Sequence, residues 1–276
     1  MSNPTQSFDY EGHRVAYRVY GAGSRDLVLI HGLLMNSRMF DRFAPEMAAR
    51  GNRVICIDLL GHGCSDKPDD LNRYSMTAFA DQVAALLDHL EIERAVVGGT
   101  SLGANVSLEV AVRHPGRIGG LFIEMPVLDN ALAAVAVAFT PVLVASRFGA
   151  VPLGLIANLT RRIPRTHHLV DIGLDWLRRD PRTTASVLQG LLLGRTCPPS
   201  AERRKITAPA FVVGHRADPV HPFSDSDALL GEIEGSELVN ASSILEWRLN
   251  PDRLNSELAR FLERVHEGTA LRAVAA

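Results

Sequence analysis

The chain has little cysteine, no excess of either charge and no apolar run long enough to cross a membrane, and each shortage removes a class of protein. Cys56, Cys64 and Cys197 are the three cysteines in 276 residues. They make no C-x-x-C pair, and any disulfide scheme leaves one over, so a disulfide-stapled fold is excluded and a reducing, cytoplasmic location is expected. Lys and Arg number 29 against 31 Asp and Glu, a formal net charge of −2. Such a balance offers no positive field for neutralising phosphates, which excludes nucleic acid as an expected partner. The basic clusters Arg161-Arg162, Arg178-Arg179 and Arg203-Arg204-Lys205 read as solvated helix ends. Ala131 to Ala145 is almost wholly apolar but falls short of the roughly 20 residues a transmembrane helix needs, and it contains Pro141. No stable membrane insertion is expected, with contact at a membrane surface as the lesser alternative. Met1 to Tyr10 is polar and lacks the basic start and apolar core of a secretory signal. Metal-ligand spacing and a P-loop are absent, and Gly98-Gly99 with Gly103 does not make G-x-G-x-x-G, so no cofactor is expected.

What is present is an alternation of two periodicities. Arg14 to Tyr20 alternates polar and apolar residues, as a half-exposed antiparallel strand does. Leu27–Ile30, Val54–Ile57, Ala95–Val97, Leu121–Ile123 and Ala210–Val213 are continuous apolar runs, as strands covered on both faces require. Between them lie helical patterns over Met39–Arg50, Met76–Leu90 with Ser75 as N-cap, and Leu102–His114 ending before Pro115. The order predicts an α/β fold with a doubly wound, mostly parallel sheet, its site at the carboxyl ends of the strands. Between Pro126 and Pro199 the rhythm is lost and the sequence reads as helical. The expected organisation is a core of residues 1–125 and 200–276 with a helical cap of 126–199.

Val96 to Ala104 reads Val-Val-Gly-Gly-Thr-Ser-Leu-Gly-Ala. The pattern Gly99-x-Ser101-x-Gly103, after a β-rich run and before a helical one, is a nucleophile elbow. A sharp strand-to-helix turn would expose Ser101 Oγ, the flanking glycines would let neighbouring backbone approach, and the helix would turn its free N–H groups toward negative charge developing beside that oxygen.

Four further segments, in the right order, make the chain resemble the α/β-hydrolase fold superfamily over nearly its whole length. His31-Gly32-Leu33-Leu34 resembles the family's His-Gly oxyanion loop. The resemblance implies an oxyanion hole made by the backbone N–H groups of Leu33 and Leu102. Asp58-Leu-Leu-Gly61-His62-Gly63-Cys-Ser65 is similar to a structural loop beside the family's site, which leaves His31 and His62 as scaffold. Gly214-His215-Arg-Ala-Asp218-Pro-Val-His221-Pro222 resembles the loop that carries the triad acid, implying Asp218. Glu124, at the end of the preceding strand, is the alternative acid, since some members place it there.

The chain departs from the family at the third member of the triad. After the last strand, around Leu238-Val239, the sequence runs Ala241-Ser-Ser-Ile-Leu-Glu-Trp-Arg-Leu-Asn-Pro251 with no histidine. Counting back from Pro251 puts Ile244 in its place, and counting forward from Glu237 puts Glu246 there. The candidate base is His221, with His215 as the alternative. A cap histidine, His167 or His168, is a further candidate, and a site without a base is the last. Two functions follow. One is a serine hydrolase acting through an acyl-enzyme on a small apolar carboxylic ester, thioester or related acyl compound, that small hydrophobic substrate and a homodimeric copy being its expected partners. The other is a non-hydrolytic homologue that binds a small hydrophobic ligand or runs cofactor-free lyase- or oxygenase-like chemistry, since one fold hosts many reactions.

Overall fold

The computed structural model describes residues 3–165 and 167–274. In chain order the elements are β1 (Gln6–Tyr10), β2 (His13–Tyr20), β3 (Arg25–Ile30), α1 (Phe43–Ala49), β4 (Asn52–Asp58), α2 (Met76–His89), β5 (Ala95–Thr100), α3 (Leu102–Arg113) and β6 (Ile118–Glu124). Four helices follow, α4 (Leu132–Phe148), α5 (Ala150–Thr160), α6 (His168–Leu177) and α7 (Pro181–Leu193), then α8 (Ser200–Arg203), β7 (Ala210–Gly214), α9 (Phe223–Glu232), β8 (Glu237–Asn240), α10 (Glu246–Leu249) and α11 (Asp252–Val274). The strands form one eight-stranded sheet in the order β1-β2-β4-β3-β5-β6-β7-β8. β2 is antiparallel to both β1 and β4, and every pairing from β4 through β8 is parallel.

Why the central strands are unbroken apolar runs is visible in their two faces. Successive side chains on a strand point to opposite sides. Val28, Ile30, Ile55, Ile57, Val97 and Ile123 therefore pack with Phe79, Val83 and Leu87 of α2 and Val106 and Leu108 of α3. Leu27, Leu29, Val54, Cys56 and Phe122 pack on the other side with Met47 of α1 and Leu258, Phe261 and Leu262 of α11. Full burial of such side chains stabilises by roughly 1.5–3 kcal/mol each, so these two layers hold the sheet that carries the site.

Three local expectations change. β1 is an additional strand, paired with β2 through a tight turn at Glu11 and Gly12, whose φ values of 51° and 80° suit the left-handed conformation of a hairpin. The pattern over Met39–Arg50 is not one helix. Ser37–Phe40 forms a 3-10 turn and α1 starts only at Phe43, because Asn36 caps the turn through Arg38 N and Asp58 Oδ1 accepts Ser37 N at 2.6 Å, tying the loop to the end of β4. Two of the basic clusters are not simply solvated. Arg203 is 1% exposed and bonds Glu232 Oε1 at 2.9 Å. Arg179 Nε is buried with no hydrogen-bond partner among the described residues, and burial lowers that guanidinium to about 10. By contrast Ser75 caps α2 as its position predicts, accepting Ala78 N at 3.1 Å.

Candidate active site

The turn out of β5 is strained in the way an exposed serine requires. Ser101 has φ 55° and ψ −109°, a conformation that costs a non-glycine residue on the order of 1–3 kcal/mol and persists only where surrounding structure enforces it. Enforcement comes from its own backbone: Ser101 N donates to Glu124 O at 2.8 Å and Ser101 O accepts Asn105 N at 3.0 Å. Gly99 and Gly103 are needed for close approach, since a Cβ at either would lie 2.0 Å from the Ile30 carbonyl oxygen. The glycines thus let the end of β3 lie directly beside the elbow.

The loop after β7 brings two side chains to that serine. Asp218 Oδ1 accepts Val220 N at 2.8 Å and His221 N at 2.9 Å, folding the loop around its own carboxylate. Asp218 Oδ2 then lies 2.9 Å from His221 Nδ1, and His221 Nε2 lies 2.9 Å from Ser101 Oγ. Burial alone would raise the Asp218 carboxyl, but the ring of His221 and the backbone N–H groups of His221 and Val220 outweigh it and hold it below the ordinary range. A carboxylate at this point fixes the ring proton on Nδ1, leaving Nε2 free to accept the serine proton.

The other candidates are elsewhere. His215 directs Nε2 to the Ser242 carbonyl at 3.3 Å. His167 occupies the N-cap position of α6, and His168 lines a separate cavity of about 130 Å³ with Phe43, Trp247 and Arg248. Glu124 is occupied: Arg248 Nη2 donates to its Oε2 at 3.0 Å and Thr100 Oγ1 bonds the same oxygen. Of the two positions counted as the histidine's, Ile244 is exposed and Glu246 bonds Arg253 Nε at 2.9 Å. His31 is structural, its Nε2 accepting Leu59 N at 3.2 Å.

Sequence reasoning passed over Arg248, the residue in the histidine-free loop that reaches the elbow's neighbourhood. Its signal was an arginine there together with an acid ending β6. It also passed over Asp225, whose carboxylate accepts Leu128 N at 2.7 Å, Asn130 N at 3.1 Å and Ala131 N at 3.1 Å and so anchors the start of α4 to α9.

Beside Ser101 lies a cavity of about 170 Å³ whose walls include Leu33, Leu102, Val127, Val135, Phe139 and Leu188. Among the described residues no charged side chain lines it. The one amide there, Asn105, is fully engaged, donating to Val127 O at 2.7 Å and Thr196 O at 2.8 Å and accepting Val127 N at 3.0 Å. Phe139 of α4 is a wall; Leu143, one turn further on, is not.

Comparison with known proteins agrees with this architecture. An uncharacterised protein of Mycobacterium tuberculosis is 38% identical over 124 residues, covering 45% of this chain and 35% of that protein, so the matched region spans about a third of its relative. An AB hydrolase superfamily protein, YisY of Bacillus subtilis, is 26% identical over 260 residues, covering 86% of this chain and 91% of its own. The crystal structure of a hydrolase from Pseudomonas aeruginosa superposes with a TM-score of 0.73 at 25% identity, covering 94% of this chain and 98% of that one. The sequence model of the alpha/beta hydrolase fold family matches residues 27–170, more than half of the chain, and the chain belongs to that family.

Proposed function

We propose that the protein is a serine hydrolase of small apolar carboxylic esters, thioesters or related acyl compounds, with Ser101, His221 and Asp218 as its triad. The observation that carries this reading is the unbroken run of two 2.9 Å contacts from Asp218 Oδ2 through the His221 ring to Ser101 Oγ. In the reaction Oγ attacks the acyl carbonyl carbon while Nε2 takes the hydroxyl proton. Asp218 stabilises the imidazolium without itself being protonated. The N–H groups of Leu33 and Leu102 receive the oxyanion, each worth about 3–4 kcal/mol of transition-state stabilisation. Collapse of the intermediate breaks the bond to the leaving group, which departs with the proton from Nε2. Water then gives its proton to Nε2 and attacks the acyl-enzyme, and the carboxylic acid leaves as Oγ is reprotonated.

An apolar acyl part is supported by the uncharged cavity at Ser101, with α4 and α7 acting as a cap over the strand ends. The non-hydrolytic alternative drew on the missing histidine after β8, and an imidazole within hydrogen-bond reach of Oγ removes that ground.

The test is a fluorophosphonate probe with peptide mapping, together with turnover of p-nitrophenyl esters. Wild type should be labelled at Ser101 and hydrolyse the esters. Ser101→Ala should abolish labelling, and His221→Ala should lower turnover by about four to six orders of magnitude while His215→Ala leaves it unchanged. Labelling that survives Ser101→Ala, or His221→Ala with wild-type turnover, overturns the assignment.

A further inference from the structure

Helix α4 is apolar on two sides. Val135, Ala136 and Phe139 face the cavity at Ser101. The rest of the apolar surface of α4 and α5 faces outward, with Val137 76%, Phe148 83%, Val151 76%, Leu155 61% and Leu159 62% exposed. Soluble monomers rarely leave so contiguous an apolar surface without a use for it. The two helices meet at Gly149 with a bend of 98°, and neither is long and apolar enough to cross a membrane alone. They make an angled plate.

The charge of this plate is one-sided. From Ala131 through Val170 there is no aspartate or glutamate, and there are four arginines, Arg147, Arg161, Arg162 and Arg165. Arg165 pairs with Asp175 of α6. Arg147 and Arg162 are exposed and have no acidic partner among the described residues. An apolar face edged by cations and free of carboxylates is the composition that settles at the boundary between headgroups and acyl chains of an anionic membrane.

We propose that the outer face of α4 and α5 docks peripherally on an anionic lipid bilayer. A second copy of this chain fits the face less well. A two-fold interface would gather the arginines of both copies into one contact, with no carboxylate in either patch to neutralise them. Bilayer docking would leave α4 as the partition between the lipid phase and the cavity at Ser101, a path by which an apolar ester enters. That consequence rests on the hydrolase reading; the docking does not.

Co-sedimentation with vesicles of phosphatidylcholine, alone or mixed with phosphatidylglycerol, tests it. Expected is partitioning at least tenfold stronger onto the anionic vesicles, weakened by high salt. Phe148→Glu with Val151→Glu should reduce it at least tenfold, and Arg147→Gln with Arg162→Gln should remove the preference for anionic lipid. Neither pair lines the cavity, so melting temperature and turnover of a water-soluble ester should stay at wild-type values. Failure of docking is thereby distinguishable from failure of the hydrolase reading. Wild type remaining in the supernatant with both vesicle types overturns the proposal. So does a glutamate variant that still sediments, or a dimer seen by light scattering that this variant dissolves.

Discussion

Replacing Asp218 by asparagine changes one atom type, yet the loop geometry makes its effect on turnover large. Oδ1 is held by two backbone donors, Val220 N at 2.8 Å and His221 N at 2.9 Å. An asparagine would keep its carbonyl oxygen there, which forces its NH₂ into the place of Oδ2, facing His221 Nδ1. Nδ1 must then accept, the ring proton moves to Nε2, and Nε2 can no longer take the proton from Ser101 Oγ. The wrong tautomer costs roughly 10⁴ in kcat in triads of this kind, or about 5.4 kcal/mol at 1.36 kcal/mol per decade. Both backbone bonds survive the change, so unfolding free energy should fall by no more than about 3 kcal/mol, the scale of one charge-assisted hydrogen bond. The assay is ester turnover under saturating substrate, paired with urea unfolding of the same preparations. Glu124→Gln is the comparison: its carboxylate is held by Arg248 and Thr100, so its loss should fall on stability. Asp218→Asn turning over within tenfold of wild type, or Glu124→Gln showing the larger loss in kcat, would refute the reasoning.

Gly103→Ala should abolish soluble folded protein or lower the melting temperature by more than about 10 °C, because the new Cβ would meet Ile30 O at 2.0 Å and Ile30 C at 2.7 Å. Gly154→Ala in α5 meets nothing within 4 Å and should stabilise by roughly 0.5–1 kcal/mol, so equal melting temperatures for the two variants would contradict the packing at the elbow. Arg248→Met leaves the Glu124 carboxylate, 4% exposed, without its cation and should cost about 3–5 kcal/mol in urea unfolding. Adding Glu124→Leu should recover part of that loss, and strictly additive effects would show the pair to be uncoupled. Hydrogen bonding to Arg253, outweighing burial, lowers the Glu246 carboxyl to about 2. A carboxyl depressed in the folded state contributes stability above its ordinary 4.5 that is lost as pH falls toward 2. Urea midpoints of Glu246→Gln should therefore fall less steeply than those of wild type across that window, and parallel slopes would disprove the linkage.

The parts of the fold legible in the sequence are those whose cause is local or two-faced. Leu27–Ile30 of β3 and Ala95–Val97 of β5 read as strands because both their faces are covered, which leaves no polar residue to interrupt those runs. β1 escaped because it is an edge strand with only Phe8 buried, so its pattern resembles a solvated terminus. The turn at Ser37–Phe40 was hidden because what breaks the helical pattern is Asp58, 21 residues away. The elbow and the hairpin of hydrogen bonds between Asp218 and His221 lie within short windows and could be located directly. Which histidine meets Ser101 depends on a contact across 120 residues, and Arg248 finds Glu124 across 124. No periodicity encodes such distances.

The proposed acid and base, Asp218 and His221, sit three residues apart on one loop, and this changes what the remainder of the chain must preserve. A triad spread over three segments needs two distant alignments to be right at once. This one needs only the loop to meet the elbow, because the loop carries its own internal alignment. The proposed catalytic unit is in effect portable: Asp218 to Pro222 could be moved as a cassette onto a related scaffold. The stretch Ser242 to Leu245 between β8 and α10 is correspondingly released from carrying a proposed catalytic side chain, while Arg248 and α11 still hold Glu124 and the sheet. A search for active members that demands a histidine after the last strand would discard all such chains as dead enzymes.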